Sequence, residues 1–332
     1  MSLFRPILLA LILFQTSMAF AIEKESVDFD NQIMELREQI REIKDFGHNP
    51  GNLKLYHYSP SSEKNLPMVV LLHGCTQSAE QFAYGSGWLQ LAKKHQFQLL
   101  MPEQQRRNNE ARCFNWFFTD KASRGEGETA SIASAIEYAK SYLNINGSKV
   151  YMTGISGGGA MTIAMAATYP EYLESISSVA GVTYQCAINV PDAFMCMGGM
   201  RNFGPDFLSK NVFDQHSHEV QRWPTVSIWH GQFDFTVRPS NMNQQAVQWA
   251  AVHGIQGPRT TEGLKISDDI IEETRYENTR GNALVRTYLV KGMRHGQAVD
   301  PNRGCGDARV HFMLDEGFCM AEIMARNWML LD

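Results

Sequence analysis

Lys149-Val-Tyr-Met-Thr-Gly-Ile-Ser-Gly-Gly158 passes from a short apolar run straight into a segment rich in Gly, Ala and Met that ends before Pro170. A strand over Lys149–Thr153 and a helix over Gly157–Tyr169 supply the context that a G-x-S-x-G elbow requires. A serine at such an elbow sits in a strained, sharply turned backbone, so its neighbours must be small enough for strand and helix to approach. Glycines two residues before Ser156, and one and two after it, meet that need. The turn projects the Ser156 hydroxyl beyond the sheet at a helix N-terminus, where backbone N–H groups face incoming negative charge. A phosphate loop would end in G-K-[ST], whereas Gly159-Ala160-Met161 follows here. The pattern points to a serine nucleophile.

On both sides of this elbow, apolar strands alternate with helical segments. Strands are predicted at Leu53–Tyr58, Met68–Leu72, Phe97–Met101 (stopped by Pro102), Ser175–Ala180, Thr225–Trp229 and Leu284–Val290. Helices are predicted over residues 27–43, Ala79–His95, Thr129–Leu143, Gln244–His253 and Glu316–Leu330. Strands separated by helices give β-α-β units and a mostly parallel sheet with helices on both faces. The expected class is α/β, of the α/β-hydrolase type. No linker or internal repeat interrupts the order. Residues 1–21 read as an export signal, 22–52 as a helical extension and 53–332 as one catalytic domain. Within that domain, residues 181–222 form a long irregular stretch of the kind used as a lid or substrate loop.

The 332 residues are 44% hydrophobic and 20% charged, a globular rather than disordered composition. Lys+Arg 30 against Asp+Glu 35 gives −5, with no basic stripe of the sort nucleic-acid proteins carry. Arg5, the apolar run Pro6–Phe14 and Ala19-Phe-Ala21 have the order of a cleavable secretory signal. The run is well short of the ~20 residues a membrane span needs, so no membrane anchor is expected. Export to the periplasm or the medium also suits the cysteines, which are six in number. Pairing of neighbours is the expected arrangement: Cys75–Cys113, Cys186–Cys196 and Cys305–Cys319. No zinc-type Cys/His spacing is present, so no metal is expected.

A serine hydroxyl needs a base, and the base an orienting acid. In this fold type the chain order is Ser, acid, His. His295 follows strand Leu284–Val290 in Lys291-Gly-Met-Arg-His-Gly296, at a strand's C-terminal end, where open α/β sheets place their sites. Asp234 is the first carboxylate in the loop after strand Thr225–Trp229, flanked by Phe233 and Phe235, which would shield it. Asp300 is the weaker substitute. For the oxyanion, Gly157 supplies one backbone N–H as the residue after the nucleophile. Cys75, in the loop after strand Met68–Leu72, is expected to supply the second.

Several motifs occur in order: Leu71-Leu-His-Gly-Cys-Thr-Gln77, Pro102-Glu-Gln104, Cys113-Phe-Asn-Trp-Phe117, Gly154-Ile-Ser-Gly-Gly158, Trp229-His-Gly231 with Asp234, and Gly292-Met-Arg-His-Gly296 with Val299-Asp-Pro301. As a set they resemble the poly(3-hydroxybutyrate) depolymerase family of esterases, relatives of feruloyl and acetylxylan esterases. The resemblance runs from about Tyr56 to the closing helix. It implies Ser156, Asp234 and His295 as a triad, with Cys75 and Gly157 as the oxyanion hole. It also implies that Trp116 lies along the substrate cleft. The activity implied is cofactor-free ester hydrolysis through an acyl-enzyme. The substrate expected is a polyester or oligoester of 3-hydroxyalkanoates, the alternative being feruloyl or acetyl esters of carbohydrate.

Overall fold

The computed structural model describes residues 39–257 and 270–331. The chain divides into two compact units, Met1–Arg41 and Glu42–Asp332, and the second holds the sheet and the candidate site. The signal expected over 1–21 lies outside the described residues, as does nearly all of the helix expected over 27–43. From Ile43 to Asn52 the chain is loop and turn rather than helix. Pro50 and Gly51 break helical periodicity there, and Asn52 takes a positive φ of 51°.

In chain order the second unit contains β1 (Lys54–Tyr58), β2 (Leu66–Leu72), α1 (Ala79–Gly85), α2 (Trp88–His95), β3 (Gln98–Glu103), α3 (Gly127–Tyr142) and β4 (Ile145–Ile155). There follow α4 (Gly157–Thr168), β5 (Ser175–Val179), α5 (Val190–Met197), α6 (Pro205–Phe213), β6 (Thr225–Gly231), α7 (Ser240–Val252), β7 (Ile271–Glu277), β8 (Ala283–Val290) and the closing α8 (Met320–Asn327). These strands lie side by side as β1-β3-β2-β4-β5-β6-β8-β7. Pairing is parallel from β3 across to β8 and antiparallel only at β1/β3 and β7/β8. Every central strand therefore delivers its C-terminal loop to the same edge. That edge carries Ser156, Asp234, His295 and the Cys75 loop.

The central strands are apolar because both their faces are covered. Val70, Leu72, Val150, Met152, Ile176 and Ile228 are all buried in one cluster with α3 and α4. Helix α4 is buried on every side, which suits its run of Gly and Ala: small side chains let it press close to the sheet. Burying Met161, Ile163 and Met165 stabilises this packing by roughly 2 kcal/mol each.

Three local expectations are corrected, and one strand goes unpredicted. The helix expected over 79–95 is two helices, because Gly87 turns the chain with φ +87° and lies against Cys305. Strand β3 runs on through Pro102 to Glu103. Its pairing with parallel β2 ends at Leu100, so Pro102 is paired only with Leu55 of β1. The stretch 181–222 is not structureless but holds α5 and α6. Edge strand β7 escapes the sequence reading because the buried side of its alternation carries Glu273, which accepts from Arg286 Nη1 at 3.0 Å and Tyr288 Oη at 3.1 Å. The cysteines pair as neighbours, Cys75–Cys113, Cys186–Cys196 and Cys305–Cys319, with Cα separations of 4.2, 6.0 and 5.9 Å. Among the described residues no helix is long and apolar enough to cross a membrane.

Candidate active site

Strand β4 ends at Ile155, and the next residue turns the chain into α4. Ser156 has φ 55° and ψ −118°, a conformation that costs a non-glycine residue on the order of 1–3 kcal/mol. Two backbone bonds hold it there: Ser156 N–H donates to Val179 O at 2.8 Å, and Ala160 N–H donates to Ser156 O at 2.9 Å. The flanking glycines answer to space. A Cβ on Gly158 would stand 2.0 Å from Leu72 O, and one on Gly154 would stand 2.4 Å from Gly158 O. The hydroxyl is half-buried at the head of α4.

Asp234 lies in the turn after β6, fully buried, and His295 in the turn after β8. The two turns are tied together by Phe233 N–H donating to Met293 O at 2.8 Å and Gln232 N–H donating to Val290 O at 2.9 Å. Asp234 Oδ2 meets His295 Nδ1 at 2.7 Å. Its other oxygen accepts from Thr236 N at 2.9 Å and Val237 N at 2.8 Å. With Nδ1–H donating to a carboxylate, Nε2 is the free base nitrogen. The His295 ring packs edge-on against Phe312, centroids 5.4 Å apart. Behind Asp234, the buried His230 meets Val237 O through Nε2 at 2.9 Å, and burial lowers its pKa. It braces the Asp234 turn, a role its position in Trp229-His-Gly231 does not announce.

The fold brings Asp234 and His295 together and sets Ser156 on the same edge of the sheet. No hydrogen bond joins the Ser156 hydroxyl to His295 among the described residues; in unliganded enzymes such bonds are often long and tighten when substrate binds. Asp300 instead caps the turn Pro301–Arg303, accepting from Arg303 N.

After β2, His73-Gly-Cys-Thr-Gln77 bends back toward Ser156. Gln104 N–H donates to His73 Nε2 at 3.0 Å, so the ring proton sits on Nδ1 and donates to Gly74 O at 2.8 Å. Burial drives His73 down to about 4 and keeps it neutral. Gly74 N–H donates to Gln77 Oε1 at 2.8 Å, and Gln77 Nε2 donates to His311 O at 2.6 Å. A Cβ on Gly157 would lie 3.2 Å from Cys75 Sγ, so the Cys75–Cys113 disulfide borders the elbow. Neither Cys75 N–H nor Gly157 N–H has an acceptor among the described residues. Two unengaged donors beside a serine are what an oxyanion needs.

Trp116 is half-buried and packs against both buried clusters, its ring edge-on to Phe117 at 5.3 Å. The smaller cluster joins Ala160 of α4, Val237 of the Asp234 turn, and Cys186, Ala193 and Cys196 around α5. The insertion is thus fastened to the site's rim, where Arg238 N–H also donates to Met197 O at 2.8 Å. Large apolar side chains stand in solvent there: Phe194 at 67%, Met200 at 67%, Phe233 at 51% and Phe235 at 71% exposure. A cavity of about 470 Å³ lined by Lys149, Glu174, Thr225 and Arg286 lies by the strand starts, away from the edge where such sheets place their sites. Among the described residues no group of His, Cys, Asp and Glu is placed to hold a metal ion.

The family model described as Esterase PHB depolymerase matches residues 52–270. Poly(3-hydroxyalkanoate) depolymerase C of Paucimonas lemoignei is 38% identical over 286 residues, spanning 84% of this chain and 67% of that one. An acetylxylan esterase of Coprinopsis cinerea is 32% identical over 265 residues, 78% of this chain and 69% of that one. Among solved structures, the acetyl xylan esterase from Aspergillus awamori superimposes with a TM-score of 0.71 at 26% identity, covering 77% of this chain and 93% of that one. Sheet order, helices on both faces and these likenesses agree on an α/β-hydrolase fold, and the chain is an esterase belonging to the PHB depolymerase family.

Proposed function

We propose that the chain is an exported serine esterase that cleaves polyesters or oligoesters of 3-hydroxyalkanoates through an acyl-enzyme on Ser156. Asp234 fixes the His295 tautomer, and His295 Nε2 takes the Ser156 proton as Oγ bonds to the ester carbonyl carbon. The carbonyl oxygen becomes an oxyanion facing Cys75 N–H and Gly157 N–H. His295 then returns the proton to the departing alkoxide, releasing the alcohol and leaving acyl-Ser156. Water repeats the cycle: His295 takes its proton, hydroxide adds to the acyl carbon, and Ser156 leaves with that proton as the acid is released.

The observation that carries the hydrolytic reading is the Asp234–His295 hydrogen bond at 2.7 Å on the same sheet edge as a strained serine. Exposed Phe233 and Phe235 beside Asp234, and Phe194 and Met200 on the adjoining insertion, favour an uncharged apolar polymer over a carbohydrate. Residues 1–21 fit export, and three disulfides fit an oxidising compartment. The test supplies 3-hydroxybutyrate oligomers, acetylated xylan and a feruloylated oligosaccharide in parallel. Release of hydroxybutyrate in clear excess over acetate and ferulate is expected. Preference for either carbohydrate ester would overturn the substrate, and a fully active Ser156→Ala variant would overturn the mechanism.

A further inference from the structure

A buried polar network in this region converges on a residue the mechanism does not use. Glu128, in the first turn of α3, is buried, and Gly51 packs onto its backbone, where a Cβ would stand 2.6 Å from Glu128 Cα. Three N–H donors meet its carboxylate: Asn115 N at 2.8 Å on Oε2, and Asn115 Nδ2 at 2.7 Å and Gln104 Nε2 at 2.5 Å on Oε1. An ionised carboxylate satisfies all three with acceptor lone pairs alone, whereas an amide in its place must set its NH2 against at least one of these donors.

Two arms leave this point and both end at Cys75. In the first, Gln104 N–H holds His73 Nε2, and His73 Nδ1–H holds Gly74 O. The Gly74 carbonyl and the Cys75 N–H belong to one planar trans peptide and point in opposite directions. Fixing that oxygen therefore aims that N–H. In the second arm, Asn109 Nδ2 donates to Asn115 Oδ1 at 3.0 Å, and Cys113 N donates to Asn109 Oδ1 at 3.3 Å. Cys113 is disulfide-bonded to Cys75.

We propose that Glu128 is the positioning residue of the oxyanion loop, its carboxylate setting the orientation of the Cys75 N–H through Gln104–His73 on one side and Asn115–Cys113 on the other. The proposal rests on the oxyanion-hole reading above. Glu128 touches no reacting atom, so its loss leaves ground-state binding intact and weakens only the state that carries an oxyanion.

The test compares the parent with Glu128→Gln at pH 8, above the value of about 7 to which burial raises this carboxyl. Active sites are titrated with a fluorophosphonate, so that misfolded material does not count. Per titrated site, kcat on a nitrophenyl acetate should fall about 10- to 100-fold with KM within about twofold. Affinity for a trifluoromethyl ketone, which forms an oxyanion on Ser156, should fall by the same factor. A merely structural role would lower the number of sites and leave both quantities per site unchanged, which would overturn the proposal. Should Glu128→Gln fail to fold, Gln104→Ala cuts one arm alone. A kcat loss of about fivefold or more with unchanged KM supports the proposal, and a parental kcat overturns it. A parent that the fluorophosphonate does not label takes the functional reading down as well. A labelled parent indistinguishable from the variant sinks this inference alone.

Discussion

Replacing Asp234 by Asn changes one atom and should reverse one proton. Thr236 N–H and Val237 N–H both donate to Oδ1, and backbone donors cannot turn round. The amide oxygen of an asparagine must stay with them, which turns its NH2 toward His295 Nδ1. That nitrogen must then accept, so the imidazole proton moves to Nε2, the atom that receives the Ser156 proton in the proposed mechanism. A wrong-tautomer imidazole of this kind lowers kcat about 10⁴-fold, equivalent to about 5 kcal/mol of barrier. Because both Oδ1 bonds survive, the Asp234→Asn variant should melt close to the parent and keep its KM. Stopped-flow or steady-state hydrolysis of a short-chain nitrophenyl ester measures the loss. Residual kcat above about a hundredth of the parent would refute the tautomer argument.

Two further outcomes follow from packing and from titration. Gly158→Ala drives a Cβ to 2.0 Å from Leu72 O and 2.5 Å from His73 O, both backbone atoms, so unfolding in denaturant should show a loss of about 3 kcal/mol or more; a loss under about 1 kcal/mol would contradict the close approach. His253 is half-buried, lies 3.1 Å through Nε2 from Pro224 O, and is lowered by desolvation to about 4 from 6.5. A depressed folded pKa means stability fully present above about 6.5 and lost as pH falls through 4, worth roughly 3 kcal/mol for this group. His253→Gln should flatten the fall in stability over that window by about one proton, and an unchanged slope would count against it.

The elbow was legible because strand, glycine-flanked serine and helix are contiguous in sequence, although the Leu72 and His73 carbonyls that leave Gly158 no room for a Cβ come from the end of the neighbouring strand. Asp234 and His295 could be found because a parallel sheet gathers strand ends, so the first carboxylate after β6 and the histidine after β8 are candidates wherever the intervening chain goes. Cysteine neighbours pair because loops of 10 and 14 residues hold their ends close. Other features depend on partners far along the chain. Glu128 looks like an ordinary acidic residue in a helix's first turn until Gln104 and Asn115 fold onto it. The break at Gly87 has its reason in Cys305, more than two hundred positions away. Helix α5 did leave a signal, since Asn189 caps it through Asp192 N with proline in its first turn; the apolar irregularity around it masked that pattern.

Ester hydrolysis as proposed requires Ser156 to be the nucleophile that takes the acyl group. Intact-protein mass spectrometry after fluorophosphonate treatment, with peptide mapping, identifies the side chain that acts as nucleophile. One adduct per chain is expected, carried by the peptide containing Ser156 and missing from Ser156→Ala. An adduct on another residue, or none on a parent that still hydrolyses esters, would contradict it.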